Sequence, residues 1–246
     1  MSSTLAGPLT DHCFTSVAHS GTPKGESITI AGVPTYLSAP QASAASTVET
    51  VILCFSDVFG PFYINAQLVQ DYYVSQGKFL LLFGDLVHLH LNKPGFDRST
   101  WASVPKWVDG VKEMFGTNVK YCAVGFCFGA PYVFQVAATI VWYVTYLSIF
   151  AAVAHPTSLT EELLRARKVP LLFSCAETDS ASPATFRRHV EDILVEKKAT
   201  YCFQISSGVS HGFGTRGDPE IETERWAKEE CQRAMVGWFK RFTSSK

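Results

Sequence analysis

A cysteine with a glycine two residues to either side, Gly125-Phe126-Cys127-Phe128-Gly129, follows the apolar run 119–124 and precedes a segment of helical spacing. This is the G-x-S-x-G pattern of a nucleophile elbow with cysteine in the serine position. A sharp strand-to-helix turn forces the nucleophile into strained backbone geometry, and the glycines keep neighbouring side chains from colliding. The thiol then stands above a helix N-terminus, whose partial positive charge favours thiolate. The plainer alternative is a buried structural cysteine beside a glycine-rich turn.

A nucleophile needs a base, and the base needs a group to orient it; in this architecture the chain order is nucleophile, acid, histidine. Asp179 follows the apolar run 169–175 in the sequence AETDSASP, with Glu177 competing for the same role. His211 follows the run 200–205 in SSGVSHGFG, and His155 is the other histidine placed soon after a late strand. Asp179 could also serve as a turn residue ahead of Pro183, and His211 could simply pack in its glycine loop.

These residues need a scaffold that carries them to one place. Segments 27–30 and 34–37 straddle Ala31-Gly32 and read as a β-hairpin. Apolar strand-like runs at 51–55, 79–83, 119–124, 148–154, 169–175 and 200–205 alternate with helical patterns at 65–76, 100–115, after 128, 158–167, 183–197 and 219–242. Such alternation predicts an α/β fold, a mainly parallel sheet covered by helices, with catalytic groups at the carboxyl ends of the strands. The expected organisation is an irregular N-terminal arm over residues 1–25 and one domain over 26–246.

Of the 246 residues, 47% are apolar and 17% charged, against about 25% charged in an average globular chain. That composition excludes disorder and coiled coil. With 21 basic and 22 acidic side chains, the net charge is −1, and no basic stripe marks a nucleic-acid partner. A small, largely apolar molecule is the expected ligand, and a homodimer is compatible with the sequence. The seven cysteines, an odd number without a C-x-x-C pair, read as reduced thiols of a cytoplasmic protein. No secretory signal is read in MSSTLAGPLTDHC. The uncharged run 136–154 is long enough to cross a bilayer, but it lacks basic flanks and is read as a buried helix entering a buried strand. His88 and His90 lack a ligand partner at metal spacing, so no metal and no cofactor are expected. Aromatic residues Phe62, Tyr63, Trp101, Phe126 and Phe213 are candidates for the walls of a pocket, and segment 137–146 for a lining or partner surface.

The segments FSDVFG (55–60), GFCFGAPY (125–132), AHP (154–156), AETD (176–179) and HGFGTRGD (211–218) together resemble the dienelactone hydrolase family, in particular its fungal-type branch within the α/β-hydrolase superfamily. The resemblance runs over about residues 25–242. It implies Cys127 as nucleophile, Asp179 as acid and His211 as base, with an oxyanion hole formed by the backbone N–H groups of Val58 and Phe128. It also implies a thiol-contacting role for Asp57, where bacterial members carry glutamate, and substrate-carboxylate binding by Arg216. Where the family usually has proline before an aspartate, Gly84 precedes Asp85. The expected activity is hydrolysis of a lactone, enol-lactone or ester through a thioester. The alternative is a non-hydrolytic tailoring reaction of secondary metabolism, a cyclisation, isomerisation or elimination on a polyketide-like substrate in the same pocket.

Overall fold

The strand β3 (Thr50–Phe55) shows how the sheet is built, because all six of its residues are buried. Val51, Leu53 and Phe55 enter one apolar cluster while Ile52 and Cys54 enter another, so alternate side chains feed cores on opposite faces. The computed structural model describes residues 3–40, 48–77, 79–85, 103–116, 118–143, 149–166 and 169–244, with side chains at all of these except 138–143.

The other strands are β1 (Glu26–Ile30), β2 (Val33–Ser38), β4 (Phe79–Gly84), β5 (Lys120–Phe126), β6 (Ile149–Ala154), β7 (Leu171–Thr178) and β8 (Tyr201–Ser210). They form one sheet in the order β1-β2-β4-β3-β5-β6-β7-β8. The β1–β2 and β2–β4 pairs are antiparallel, and every later pair is parallel. The hairpin turns where the sequence places it: Ile30 pairs with Val33. Ala31 (φ 49°) and Gly32 (φ 79°) both take the left-handed conformation that matches the twist of a tight hairpin.

Helices α1 (Ile64–Ser75) and α7 (Glu222–Thr243) supply Val69, Tyr73, Met235 and Phe239 to one core. Helices α2 (Ser103–Phe115), α3 (Ala130–Tyr143) and α5 (Ala184–Glu196) supply Trp107, Val133, Phe134 and Phe186 to the other. Pro105 sits in the first turn of α2, where the missing N–H has no helical acceptor to lose. The described residues also include the short helices α4 (Glu161–Arg165) and α6 (Phe213–Arg216). The sequence pattern does not anticipate α6, because four residues are too few to show a period.

The long apolar run divides as expected, with α3 reaching Tyr143 and β6 starting at Ile149. Among the described residues, no helix is long and apolar enough to cross a membrane. His88, His90 and Trp101 lie outside the described residues, as do the side chains over most of 137–146.

The N-terminal arm is tied to the loops at the sheet's edge by backbone hydrogen bonds. Leu5 and Ala6 N–H groups donate to the Leu159 carbonyl at 2.8 and 3.0 Å, and Ser158 N–H donates to Gly7 at 2.7 Å. A 3-10 turn at Asp11–Phe14 follows, with Cys13 buried. The loops after β3, β5, β6, β7 and β8 begin at Ser56, Cys127, His155, Asp179 and His211, all buried.

Candidate active site

Cys127 begins a 3-10 turn, Cys127–Gly129, directly after β5, with φ at +51°. A non-glycine residue in the left-handed region is strained, and such strain persists only where the surroundings enforce it. The flanking glycines show how. A Cβ on Gly125 would lie 2.7 Å from the Gly129 carbonyl oxygen, and one on Gly129 would collide with the Phe55 carbonyl at the end of β3. The turn is thus wedged between its own helix and the neighbouring strand, which also brings the loop carrying Val58 against the elbow.

Asp179 and His211 meet as the sequence order requires. His211 Nδ1 lies 2.8 Å from Asp179 Oδ2, with both side chains buried. The remaining lone pairs of the carboxylate are occupied. Oδ1 accepts from the N–H groups of Ala181 and Ser182 at 2.9 and 3.0 Å, and Oδ2 from the Ser182 hydroxyl at 2.8 Å. Burial pushes the Asp179 carboxyl up, but the His211 and Ser182 hydrogen bonds outweigh it and hold it below its ordinary range. Glu177 points elsewhere, accepting from Gly208 N–H at 2.8 Å on β8.

The second hydrogen-bond partner of this histidine is a residue that the sequence marks only as a reduced thiol. Cys13 Sγ lies 3.4 Å from His211 Nε2. The Sγ atoms of Cys13 and Cys127 and a ring nitrogen of His211 all lie within 4.8 Å of one another. Burial lowers the His211 affinity for protons, but the Asp179 and Cys13 contacts reverse this and raise its pKa to about 9. The Cys13 thiol is lowered to about 4, first by the hydrogen bond from Cys127 and then, against burial, by His211. Cys127 moves the other way: burial, then the neighbouring Cys13, raises it well above the ordinary thiol value. The two shifts put the lower thiol pKa on Cys13 and the higher on Cys127, whereas the helix N-terminus alone would favour thiolate at Cys127. Nothing in local sequence marks Cys13, since Cys127 and His211, the partners that bear on its charge, lie more than a hundred residues away.

Asp57 and Arg216, to which the resemblance assigns the thiol contact and the binding of a substrate carboxylate, lie side by side. They pair with each other: Arg216 Nη1 donates to Asp57 Oδ2 at 2.9 Å, both side chains being nearly fully buried. Thr215 Oγ1 donates to the same oxygen at 2.8 Å and Phe59 N–H to Oδ1 at 3.0 Å, and the carboxylate is still near enough to Cys127 to raise its thiol pKa. Arg216 also stacks over the Phe59 ring and donates to the His12 carbonyl at 3.4 Å, fastening the arm. It is not the solvated cation that a loop arginine would be.

Phe213 is buried with its ring 5.7 Å from that of His155, and Phe126 is also core. Tyr63 stacks on Phe59 and shares a 2.9 Å hydrogen bond with Ser16 of the arm, whereas Phe62 is partly exposed. His155 packs edge-on to His211 at 5.0 Å, and its ring nitrogens have no hydrogen-bond partner among the described residues. Burial, then the positive His211 and Arg216, holds it neutral, well below its ordinary pKa. Cys13, Cys127 and His211 have ligand types suited to a soft cation, but the sequence reading expects none.

Comparison with known proteins bears on the family and the fold. Residues 97–243 match the model of the dienelactone hydrolase family. The chain is 31% identical to dienlactone hydrolase 1 of Gibberella moniliformis, over 95% of this chain and 94% of that one. It is 32% identical to the hydrolase tropI of Talaromyces stipitatus, over 97% and 98%. Among solved structures, a putative dienelactone hydrolase from Klebsiella pneumoniae superposes with a TM-score of 0.69 at 15% identity, covering 90% of this chain and all of that one. A dienelactone hydrolase from Anabaena variabilis gives 0.65 at 15% identity, over 92% and 100%. The fold is that of the α/β-hydrolases.

Proposed function

The chain belongs to the dienelactone hydrolase family, a family of hydrolytic enzymes, and from that premise we propose that it hydrolyses lactone, enol-lactone or ester substrates through Cys127, His211 and Asp179. The observation that carries this reading is the 2.8 Å contact of His211 Nδ1 with Asp179, which turns Nε2 toward the thiols at the elbow. Asp179 fixes the imidazole orientation and favours its protonated form. The Cys127 thiolate attacks the substrate carbonyl, and the developing oxyanion is held by the N–H groups of Val58 and Phe128. Collapse expels the alkoxide or enolate, which takes a proton from His211, and water then releases the thioester. Thiolate is itself a good leaving group, so reversal competes unless the substrate's oxygen departs readily, as an enolate does.

Arg216 bears on substrate class. With Asp57 neutralising it in a buried pair, a substrate carboxylate would have to displace a partner already in place, so a neutral lactone or ester is the favoured substrate. Turnover in water labelled with heavy oxygen tests the reaction type. Hydrolysis must put one solvent oxygen into each product carboxylate, and Cys127→Ala must abolish it. Product formed at full rate without label would mean the same pocket performs a cyclisation, isomerisation or elimination.

A further inference from the structure

Cys13 has no part in the scheme so far, yet the fold holds it against both of the scheme's moving groups. Its turn is secured from within, because Thr10 N–H donates to Cys13 Sγ at 3.3 Å. It is secured from outside by the hydrogen bonds of residues 5–7 to the loops after β6 and β7 and by Arg216 to the His12 carbonyl. Cys13, Cys127 and His211 are all buried, and their sulfur and ring-nitrogen atoms lie within 4.8 Å of one another, where charges interact strongly. A side chain that only filled this space would need no sulfur 3.4 Å from the imidazole nitrogen that faces the nucleophile.

We propose that Cys13 is the general base for Cys127: a Cys13 thiolate, held against the His211 imidazolium, takes the proton of the Cys127 thiol as substrate arrives. This rests on the hydrolytic reading of Cys127 as nucleophile. The proton balance closes. The Cys127 S–H proton passes to Cys13, the freed electron pair forms the carbon–sulfur bond, and the carbonyl π pair moves to oxygen. When the carbonyl re-forms, the leaving oxygen takes the His211 proton, and Cys13 hands its own to His211 to restore the ion pair. In the second half, water gives a proton to Cys13 as it attacks the thioester. Expelled Cys127 thiolate recovers that proton.

The charge environment fits this division of labour. Cys127 and His211 face Cys13 directly; behind them stand Asp179 on His211, neutral His155 beside it, and the mutually compensated Asp57–Arg216 pair. The pair of thiols therefore carries one negative charge opposite one imidazolium. The Cys13 thiol lies low, at about 4, while Cys127 stays protonated, so the nucleophile is ionised on demand instead of standing free to oxidise.

Two measurements on Cys13→Ser, Cys13→Ala and Cys127→Ser test this in the full chain. The ultraviolet absorbance of thiolate, followed as pH is raised from 3 to 7, is expected to show one thiolate forming near pH 4. It should be lost in both Cys13 variants and kept in Cys127→Ser. Hydrolysis of a neutral aryl acetate at pH 7 is expected to fall by about 10² to 10⁴-fold in kcat for Cys13→Ala with KM little changed, as for loss of a general base. The deficit should shrink at alkaline pH, where Cys127 can ionise unaided. Loss of the low-pH thiolate in Cys127→Ser but not in Cys13→Ser would overturn the proposal. So would undiminished or increased turnover in Cys13→Ala, which would make the arm a plug. A wild-type chain that titrates the Cys13 thiolate but hydrolyses nothing would sink the hydrolytic reading, and the general-base role with it. A chain that hydrolyses normally without that thiolate would sink the Cys13 role alone.

Discussion

His211 binds Asp179 on one ring nitrogen and a thiol on the other, so its tautomer and charge are set by two residues that approach from opposite sides. Asp179→Asn keeps the size of the side chain but removes the charge that stabilises imidazolium. A loss of about 10³ to 10⁴ in kcat is expected, as in other triads. Glu177→Gln should be mild, since Glu177 is exposed and bonded only to the β8 backbone. A rate assay of the two variants side by side checks this, and a reversed order would mean that the acid is Glu177. Arg216→Ala has a different character. It would leave the Asp57 carboxylate buried and unpaired, a change that costs about 3–5 kcal/mol when one partner of a buried pair is removed. Urea unfolding should show that loss; a drop confined to KM for anionic substrates would instead make Arg216 a substrate-binding residue.

The elbow works as an element because two strands and a helix meet with no room for an extra carbon. Gly129→Ala would drive a methyl group into the Phe55 carbonyl, and the backbone on both sides belongs to central strands that cannot shift independently. Overpacking of this kind typically costs about 1–3 kcal/mol, and the expected outcome lies at or above that upper end, with activity lost. Gly32→Ala in the β1–β2 turn has open space around its Cβ, so its cost comes from the positive φ alone and should be smaller. Thermal unfolding of the two variants compares them. Equal losses would mean that the elbow tolerates the methyl.

Across the molecule, stability should depend on pH through groups that join the arm to the sheet. Cys13 is lowered from an ordinary 9.0 to about 4, so its contribution is present above pH 9 and is lost progressively as pH falls toward 4. His211 is raised from 6.5 to about 9, so its contribution is complete below pH 6.5 and is lost as pH rises toward 9. Between 4 and 6.5 the Cys13 contribution grows while that of His211 is constant, and stability should rise with pH; His155, buried neutral, acts in the same direction as Cys13. Between 6.5 and 9 the Cys13 and His211 slopes oppose each other, and the curve should flatten. Denaturant unfolding from pH 4 to 9 measures this. Cys13→Ser should make the acid limb shallower, whereas an unchanged slope would mean that Cys13 is protonated in the folded chain.

The sequence by itself determines the order of elements and the identity of the elbow. Those depend on local regularities: apolar runs alternating with helical spacing, a turn-like pair at Ala31-Gly32, and glycines two residues either side of Cys127. Chain order also ties Asp179 and His211 to the ends of successive strands, because parallel strands present their carboxyl ends on the same edge. Tertiary structure alone decides the rest. Asp57 and Arg216 satisfy each other because the loop after β3 packs on α6, and no spacing in the chain expresses that approach. The same holds for Cys13. An arm of small polar residues carries no periodic signal, and its thiol acquires a charge only when hydrogen bonds to distant loops press it between Cys127 and His211. Ionisation follows from the burial, charge and hydrogen-bond partners around a group, and at this site those are supplied by segments far apart in the chain.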